Sequence, residues 1–182
     1  LLRMPVCAGV IGLGRRSDPP FDLGDEASIA ACARVVAPKG PFELIVDATG
    51  ALHIDGVGPE KRLHDLSANR LSRAFMVNAI GPALLMKHFI PLLPSQSRCM
   101  FATLSARVGS ITDNRRGGWY GYRASKAARN MLLRTAAVEA CRQRPEAIFV
   151  ALQPGTVRSR LSAPFAAGAD AMDPDGAAAR LL

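Results

Sequence analysis

Short apolar runs alternate along this chain with longer stretches in which apolar positions recur every three or four residues. Residues 6–13, 44–48, 99–104 and 148–152 are near-continuous apolar runs of strand length, as expected for strands buried on both faces of a parallel sheet. Between them, residues 25–36, 67–93 and 122–142 read as helices. The first opens on Asp25 and Glu26, acids suited to the positive end of the helix dipole. The second is a long pattern of small and apolar residues ended by Pro91 and Pro94, and the third stops before Pro145. Residues 168–179, rich in Ala, Gly and Asp, read as a loop leading into a last short helix. Strand alternating with helix predicts an α/β fold: a doubly wound, Rossmann-type parallel sheet with right-handed crossovers. With no internal repeat and no long linker, the 182 residues fit a single domain spanning 1–182.

Composition narrows the function classes. Hydrophobic residues at 49% and charged residues at 21% suit a soluble globular protein. No window holds eighteen uninterrupted apolar residues, so no membrane span is expected. The apolar start lacks a small-residue cleavage site before charge arrives, which argues against a signal peptide. Cys7, Cys32, Cys99 and Cys141 lie far apart with no Cys-x-x-Cys pair, predicting buried reduced thiols and a cytoplasmic protein. His53, His64 and His88 have no ligand-like spacing, so no metal is expected. The net charge of +8 raises nucleic acid as a partner. The basic residues scatter, however, with the densest spots at Arg15-Arg16, Arg115-Arg116 and residues 142–144, and no stacking motif accompanies them. Local arginines for phosphate groups fit better, and no nucleic-acid partner is expected.

The most chemical feature is Tyr122 with Lys126 in Tyr-Arg-Ala-Ser-Lys. Four residues is about one helical turn, so phenol and ammonium share a face. A cation held there favours phenolate and is expected to draw the tyrosine pKa down toward working pH, letting it exchange protons with a substrate oxygen. Ser105 follows the apolar run 99–104, at the carboxyl end of a strand, where open α/β sheets bind ligands. Read alone, Ser105 could cap a turn and Asn78 could be a solvated helix residue. Tyr120 is a competing tyrosine, but Ala124 rather than lysine stands four residues after it.

Five motifs in order carry a resemblance. They are Asp-Ala-Thr-Gly (47–50), Val-Asn-Ala-Ile-Gly-Pro (77–82), Leu-Ser-Ala-Arg-Val-Gly-Ser-Ile (104–111), the stretch 113–128 containing Tyr-Arg-Ala-Ser-Lys, and Gln-Pro-Gly-Thr-Val (153–157). Together they resemble the short-chain dehydrogenases/reductases, and within them the C-factor-like oxidoreductases, over nearly the whole chain. The resemblance implies a catalytic tetrad of Asn78, Ser105, Tyr122 and Lys126. Tyr122 would be the general acid/base, Ser105 would bind the reacting oxygen, and Lys126 would lower the tyrosine pKa and hold the nicotinamide ribose. Asn78 would shape a water-linked proton path behind Lys126.

The implied cofactor is NADP rather than NAD. Arg15 and Arg16 end the 6–13 run, where the family meets the adenosine ribose, and guanidinium forks match phosphate oxygens; a solvated charge pair is the other reading. The resemblance puts Asp22 and Leu23 at the adenine edge. It puts Ala48, Thr49 and Gly50 along the cofactor, Gly50 allowing close backbone approach, although Ala48 replaces the usual asparagine. Pro154, Gly155, Thr156 and Val157 would cover the nicotinamide, beside Gln153 where close relatives often carry His. Residues 107–119 are expected to border the substrate pocket or to form a solvated loop.

The family's Thr-Gly-x-x-x-Gly-x-Gly phosphate turn is not found. Gly9, Gly12 and Gly14 have no helix directly after them, as a phosphate site requires. The fold is therefore expected to lack its first strand–helix unit and its last strand, leaving the 6–13 run without a neighbour. The resemblance implies an NADP(H)-dependent oxidoreductase acting on a small-molecule carbonyl or alcohol. A homodimer or homotetramer would pack through the helices 67–93 and 122–142, with Ala79, Gly81, Ala83, Ala127 and Ala128 allowing close approach or facing the sheet. The alternative is a catalytically impaired signalling or interaction protein of the same fold.

Overall fold

A computed structural model describes residues 7–159, 161–163 and 171–181. Three parallel strands, β1 (Leu44–Asp47), β2 (Cys99–Leu104) and β3 (Ala147–Leu152), form a sheet in the order β1-β2-β3. The register sets Asp47 beside Thr103 and Leu104 beside Leu152. The strand ends therefore sit level, and the loops leaving them share one edge.

The helices are α1 (Glu26–Val36), α2 (Ala68–Phe75), α3 (Gly81–Phe89), α4 (Tyr120–Ala140) and α5 (Pro174–Leu181). Asp25 caps α1 by accepting from the Ala27 amide at 2.9 Å, and Glu26 adds charge to its first turn. α1 packs on α3, and α2 on α4. Phe21, Ile29, Cys32, Leu85, Met86, Phe89, Phe101 and Leu133 form the central core. The Phe21 and Phe89 rings meet edge to face at 6.2 Å.

The helix expected over residues 67–93 is interrupted. Ser67 caps it through the Arg70 amide, but Met76–Ile80 is a π turn, closed by Gly81 N donating to Met76 O, before α3 resumes. Pro82 explains the change: it has no amide to offer Asn78 and its ring crowds that carbonyl. Residues Ala68–Leu92 are long and apolar enough by composition to cross a membrane. Here Leu85, Met86 and Phe89 are spent in the core.

The expected strand at 6–13 does not form: residues 7–13 are irregular, and Val6 lies outside the described residues. Gly9 and Gly12 weaken the run as a strand, and no ladder partner stands beside it among the described residues. Only Leu13 packs on the core, while Val10 and Ile11 are exposed. Of the terminal loop expected over residues 168–179, residues 168–170 lie outside the described residues, and 174–179 are helical instead, forming most of α5.

The small residues proposed for close helix approach are largely turned inward. Ala79 is fully buried, and Gly81 faces Leu23 so closely that a Cβ would lie 2.8 Å from the Leu23 carbonyl oxygen. On α4 the exposed apolar side chains are instead Met131, Leu132 and Val138.

Candidate active site

α4 begins at Tyr120, two residues earlier than the sequence suggests. Gly117, Gly118 and Trp119 all have positive φ, and the side chain of Trp119, at the cap position, does not cap the helix. Glu60, from the distant 51–62 segment, does the capping. Its carboxylate accepts from Gly121 N at 3.0 Å, and its carbonyl accepts from Trp119 N. This buried acid at the positive end of α4 fixes the turn that carries Tyr122.

Tyr122 and Lys126 point the same way, as their spacing requires. The ammonium stands 5.7 Å from the Tyr122 ring centre and donates to Leu104 O at 3.0 Å. Both side chains are buried. Trp119 meets the tyrosine ring edge to face at 6.2 Å.

Asn78 occupies the middle of the π turn, fully buried. Its Oδ1 accepts from Ala51 N and its Nδ2 donates to Ala51 O, each at 2.9 Å. It thereby binds the loop leaving β1. Within that loop Gly50 adopts φ +142, and a Cβ there would lie 3.1 Å from Lys126 Nζ and 3.2 Å from Asn78 Oδ1. Only glycine fits this crossing without moving the lysine or the amide.

Behind the loop lies a buried ion pair. Arg129 Nη2 donates to Asp47 Oδ2, and Nη1 donates to Thr49 O at 2.9 Å. Asp47 also accepts from the Thr49 amide and hydroxyl at 2.9 and 2.5 Å, and from Thr103 Oγ1 at 2.8 Å.

The electrostatics depart from expectation at the tyrosine. Burial pushes the Tyr122 pKa up, with Arg129 opposing, so the cation-driven depression expected from spacing is not the sign found. The buried Lys126 ammonium shows the cost instead: desolvation first, then repulsion by Arg129, lower its pKa to about 8 against a partial pull from Asp47.

Ser105 lies just past β2, its amide bonded to Leu152 O at 2.8 Å. Its hydroxyl donates to Asn130 Oδ1 at 2.6 Å, two turns beyond Tyr122 on α4. Pro154, Gly155, Thr156 and Val157 follow β3; Gly155 has φ +83, and Thr156 O accepts from Met172 N at 2.9 Å. Arg15 and Arg16 sit exposed on a tight turn closed by Ser17 N to Gly14 O at 2.9 Å. Asp22 turns back to accept from Gly24 N at 2.8 Å, while Leu23 abuts Gly81. The structure thus gathers Asn78, Tyr122, Lys126 and Gly50 at one point. Ala48 and Thr49 lie in the same β1 loop, and Ser105 is tied to α4 through Asn130.

A cavity of about 190 Å³ opens beside Tyr122. Leu52, Ile54, Val57, Glu60, Arg70 and Ala74 line it, so residues 51–60 and α2 bound it rather than residues 107–119. That latter loop is largely exposed, with Arg107 and Asp113 paired at 2.7 Å and Ile111 in solvent.

Glu60, Asp47, Arg129 and Asn130 were not expected at the site. A signal for Arg129 existed: counting from Tyr122, positions 125, 126, 129, 133 and 137 form one helical stripe, and all are buried. A charge on that stripe needs a partner.

Comparison with known proteins follows the same architecture. A family model described as short chain dehydrogenase matches residues 19–169. The chain is 28% identical over 176 residues to 1-hydroxy-2-glutathionyl-2-methyl-3-butene dehydrogenase of Rhodococcus sp. (strain AD45), covering 96% of this chain and 74% of that one. It is 32% identical over 128 residues to C-signal of Myxococcus xanthus, covering 70% of this chain and 72% of the relative. The NADPH-bound carbonyl reductase from chicken fatty liver superposes with a TM-score of 0.73 at 25% identity, over 88% of this chain and 65% of its own. The chain therefore spans about three quarters of these two sequence relatives and just under two thirds of the solved reductase.

Proposed function

The chain belongs to the short-chain dehydrogenase family, and from that premise we propose that it is an NADP(H)-dependent oxidoreductase of small carbonyl or alcohol substrates. One observation carries the reading: Tyr122, Lys126, Asn78 and Gly50 converge where the carboxyl ends of parallel strands open.

The residues present suit the cofactor. Gly50 lets the β1 loop pass close against Lys126 and Asn78, and no atom comes within 4 Å of the Cβ position at Gly155, so backbone there can approach a ligand. Arg15 and Arg16, exposed on their turn, would take a 2′-phosphate, with Asp22 and Leu23 at the adenine edge. Ala48, Thr49 and Gly50 would flank the cofactor, Lys126 would hold a ribose, and Pro154, Gly155, Thr156 and Val157 would cover the nicotinamide. NADPH held by these residues would supply the hydride that a carbonyl carbon needs. Tyr122 gives its phenolic proton to the carbonyl oxygen, the product is an alcohol, and the Lys126 ammonium stabilises the phenolate until solvent returns the proton. The raised Tyr122 pKa supports this direction, because it keeps the proton on the phenol at neutral pH. Ser105 and Asn78 complete the tetrad, the first at the reacting oxygen and the second behind Lys126.

The protein would work in the cytoplasm as a homodimer or homotetramer. All four cysteines are unpaired, although only Cys32 and Cys99 are buried as expected and Cys141 is exposed, and Met131, Leu132 and Val138 are exposed apolar side chains on α4. The likeness to C-signal supports a second reading, a signalling protein that keeps the fold without turnover. Titration with NADPH and NADH, followed by oxidation of NADPH against a panel of aldehydes and ketones, separates the two. Saturable NADPH binding with carbonyl-dependent oxidation is expected, and binding of neither nucleotide overturns the enzyme reading.

A further inference from the structure

Among the described residues Arg129 is the largest fully buried side chain, on the α4 stripe where apolar residues belong. A buried ion pair seldom stabilises more than well-packed hydrophobic groups of the same volume. Its presence calls for another role. The pair is also imperfect for packing alone, since Arg129 Nε is buried without a partner.

Its position suggests that role. Arg129 stands three residues after Lys126 on the same helix face, and the Gly50 Cβ position lies 3.7 Å from Arg129 Nη1 and 3.1 Å from Lys126 Nζ. Through Asp47 and the Thr49 carbonyl, the guanidinium ties α4 to the β1 loop that passes in front of the lysine. The charged and titratable groups facing Lys126 are Tyr122 and Arg129 on its own helix and Asp47 from β1. The π turn contributes the neutral Asn78 amide, and β2 contributes the Leu104 carbonyl.

We infer that Asp47 and Arg129 are a positioning pair for Lys126, a clamp that holds α4 against the β1 loop and sets the field around the ammonium. Arg129 repels the charged lysine and Asp47 attracts it. The two members therefore act on Lys126 with opposite sign, which distinguishes an electrostatic role from a packing one. The inference rests on Tyr122 and Lys126 being the proton-handling pair, but it can be read without turnover.

The test is NMR titration of protein carrying [13Cε]lysine. The chain has four lysines, Lys39, Lys61, Lys87 and Lys126, and the Lys126 signal is identified by its loss in Lys126→Met. The parent midpoint is expected near pH 8. Arg129→Leu should raise it and Asp47→Asn should lower it, each by at least about half a pH unit. Midpoints unmoved in both variants, or moved the same way, overturn the inference. Should Arg129→Leu fail to fold with Asp47 left unpaired, the double variant Asp47→Asn/Arg129→Leu decides. Its midpoint should lie above that of Asp47→Asn, because the repelling guanidinium is then gone as well, and a midpoint equal to that of Asp47→Asn overturns the clamp. Turnover retained by Tyr122→Phe would sink the functional reading instead, leaving the titration result standing.

Discussion

Asn78 binds Ala51 as one strand residue binds another, accepting from its amide and donating to its carbonyl at 2.9 Å each. A side chain thus does the work of a missing ladder beyond the end of β1. Asn78→Ala would leave both Ala51 groups unpaired in a partly buried place, at about 1–3 kcal/mol each. Urea unfolding should show a loss of about 2–4 kcal/mol. Asn78→Asp should not restore it, because a carboxylate would face the Ala51 carbonyl. A loss under about 0.5 kcal/mol in Asn78→Ala would show that this loop is held elsewhere.

Glu60 and the start of α4 give a graded series. Glu60→Gln keeps an acceptor for Gly121 N but loses the charge at the helix dipole, whereas Glu60→Ala loses both. Thermal melts should rank parent, then Gln, then Ala, with the Ala variant down by about 1–3 kcal/mol. Parent-like melting of Glu60→Ala would mean that the Trp119 turn starts the helix unaided.

At Gly81 two effects oppose each other. Alanine gains up to about 1 kcal/mol in helix propensity, but its Cβ would sit 2.8 Å from Leu23 Cβ and the Leu23 carbonyl oxygen. Overpacking of that kind costs about 1–3 kcal/mol, and backbone cannot swing aside as a side chain can. Gly81→Ala should therefore destabilise the protein by about 1 kcal/mol in urea. A more stable variant would show that residues 22–24 yield freely.

How far the sequence carried this structure follows from where each signal lies. β1, β2, β3 and the Tyr122–Lys126 spacing are local patterns, and they appear within a residue or two of expectation. The 6–13 run is just as apolar, yet a strand needs a neighbour, and that is not a local property. The π turn was hidden because apolar periodicity cannot report one extra residue per turn, although Pro82 marks the spot. Glu60 and Asp47 act across 61 and 82 residues of chain, on Gly121 and Arg129, so no window could reveal them. The sign of the Tyr122 pKa shift is not legible in the sequence for a related reason: spacing shows the cation, whereas the desolvation that wins depends on burial by the whole fold.

Tyr122→Phe separates chemistry from folding. The ring keeps its edge contact with Trp119, so stability should stay within about 0.5 kcal/mol of the parent. Carbonyl-dependent NADPH oxidation should fall by about 10²- to 10⁴-fold, the range for loss of a positioned proton donor. Unchanged turnover would remove Tyr122 from the reaction.

Lys126 makes stability itself depend on pH. Its folded pKa is about 8, against an ordinary value near 10.5. Below pH 8 the lysine is charged in both states, and the cost of burying the ammonium is felt in full. Between about 8 and 10.5 the folded protein has released a proton that the unfolded chain still holds, so stability rises with pH. The full gain is on the order of 3 kcal/mol, somewhat under half of it reached by pH 9. The buried thiols of Cys32 and Cys99 act with the opposite sign, because burial raises their pKa and the folded protein keeps their protons longer. Lys126→Met retains both thiols and most of the lysine stem while removing the titrating group. Urea unfolding of parent and variant from pH 7 to pH 9.5 should therefore diverge, the parent gaining about 1–2 kcal/mol on the variant across that window. Parallel curves would mean that the Lys126 ammonium is solvated in the folded protein, against its burial between β2 and the Tyr122 ring.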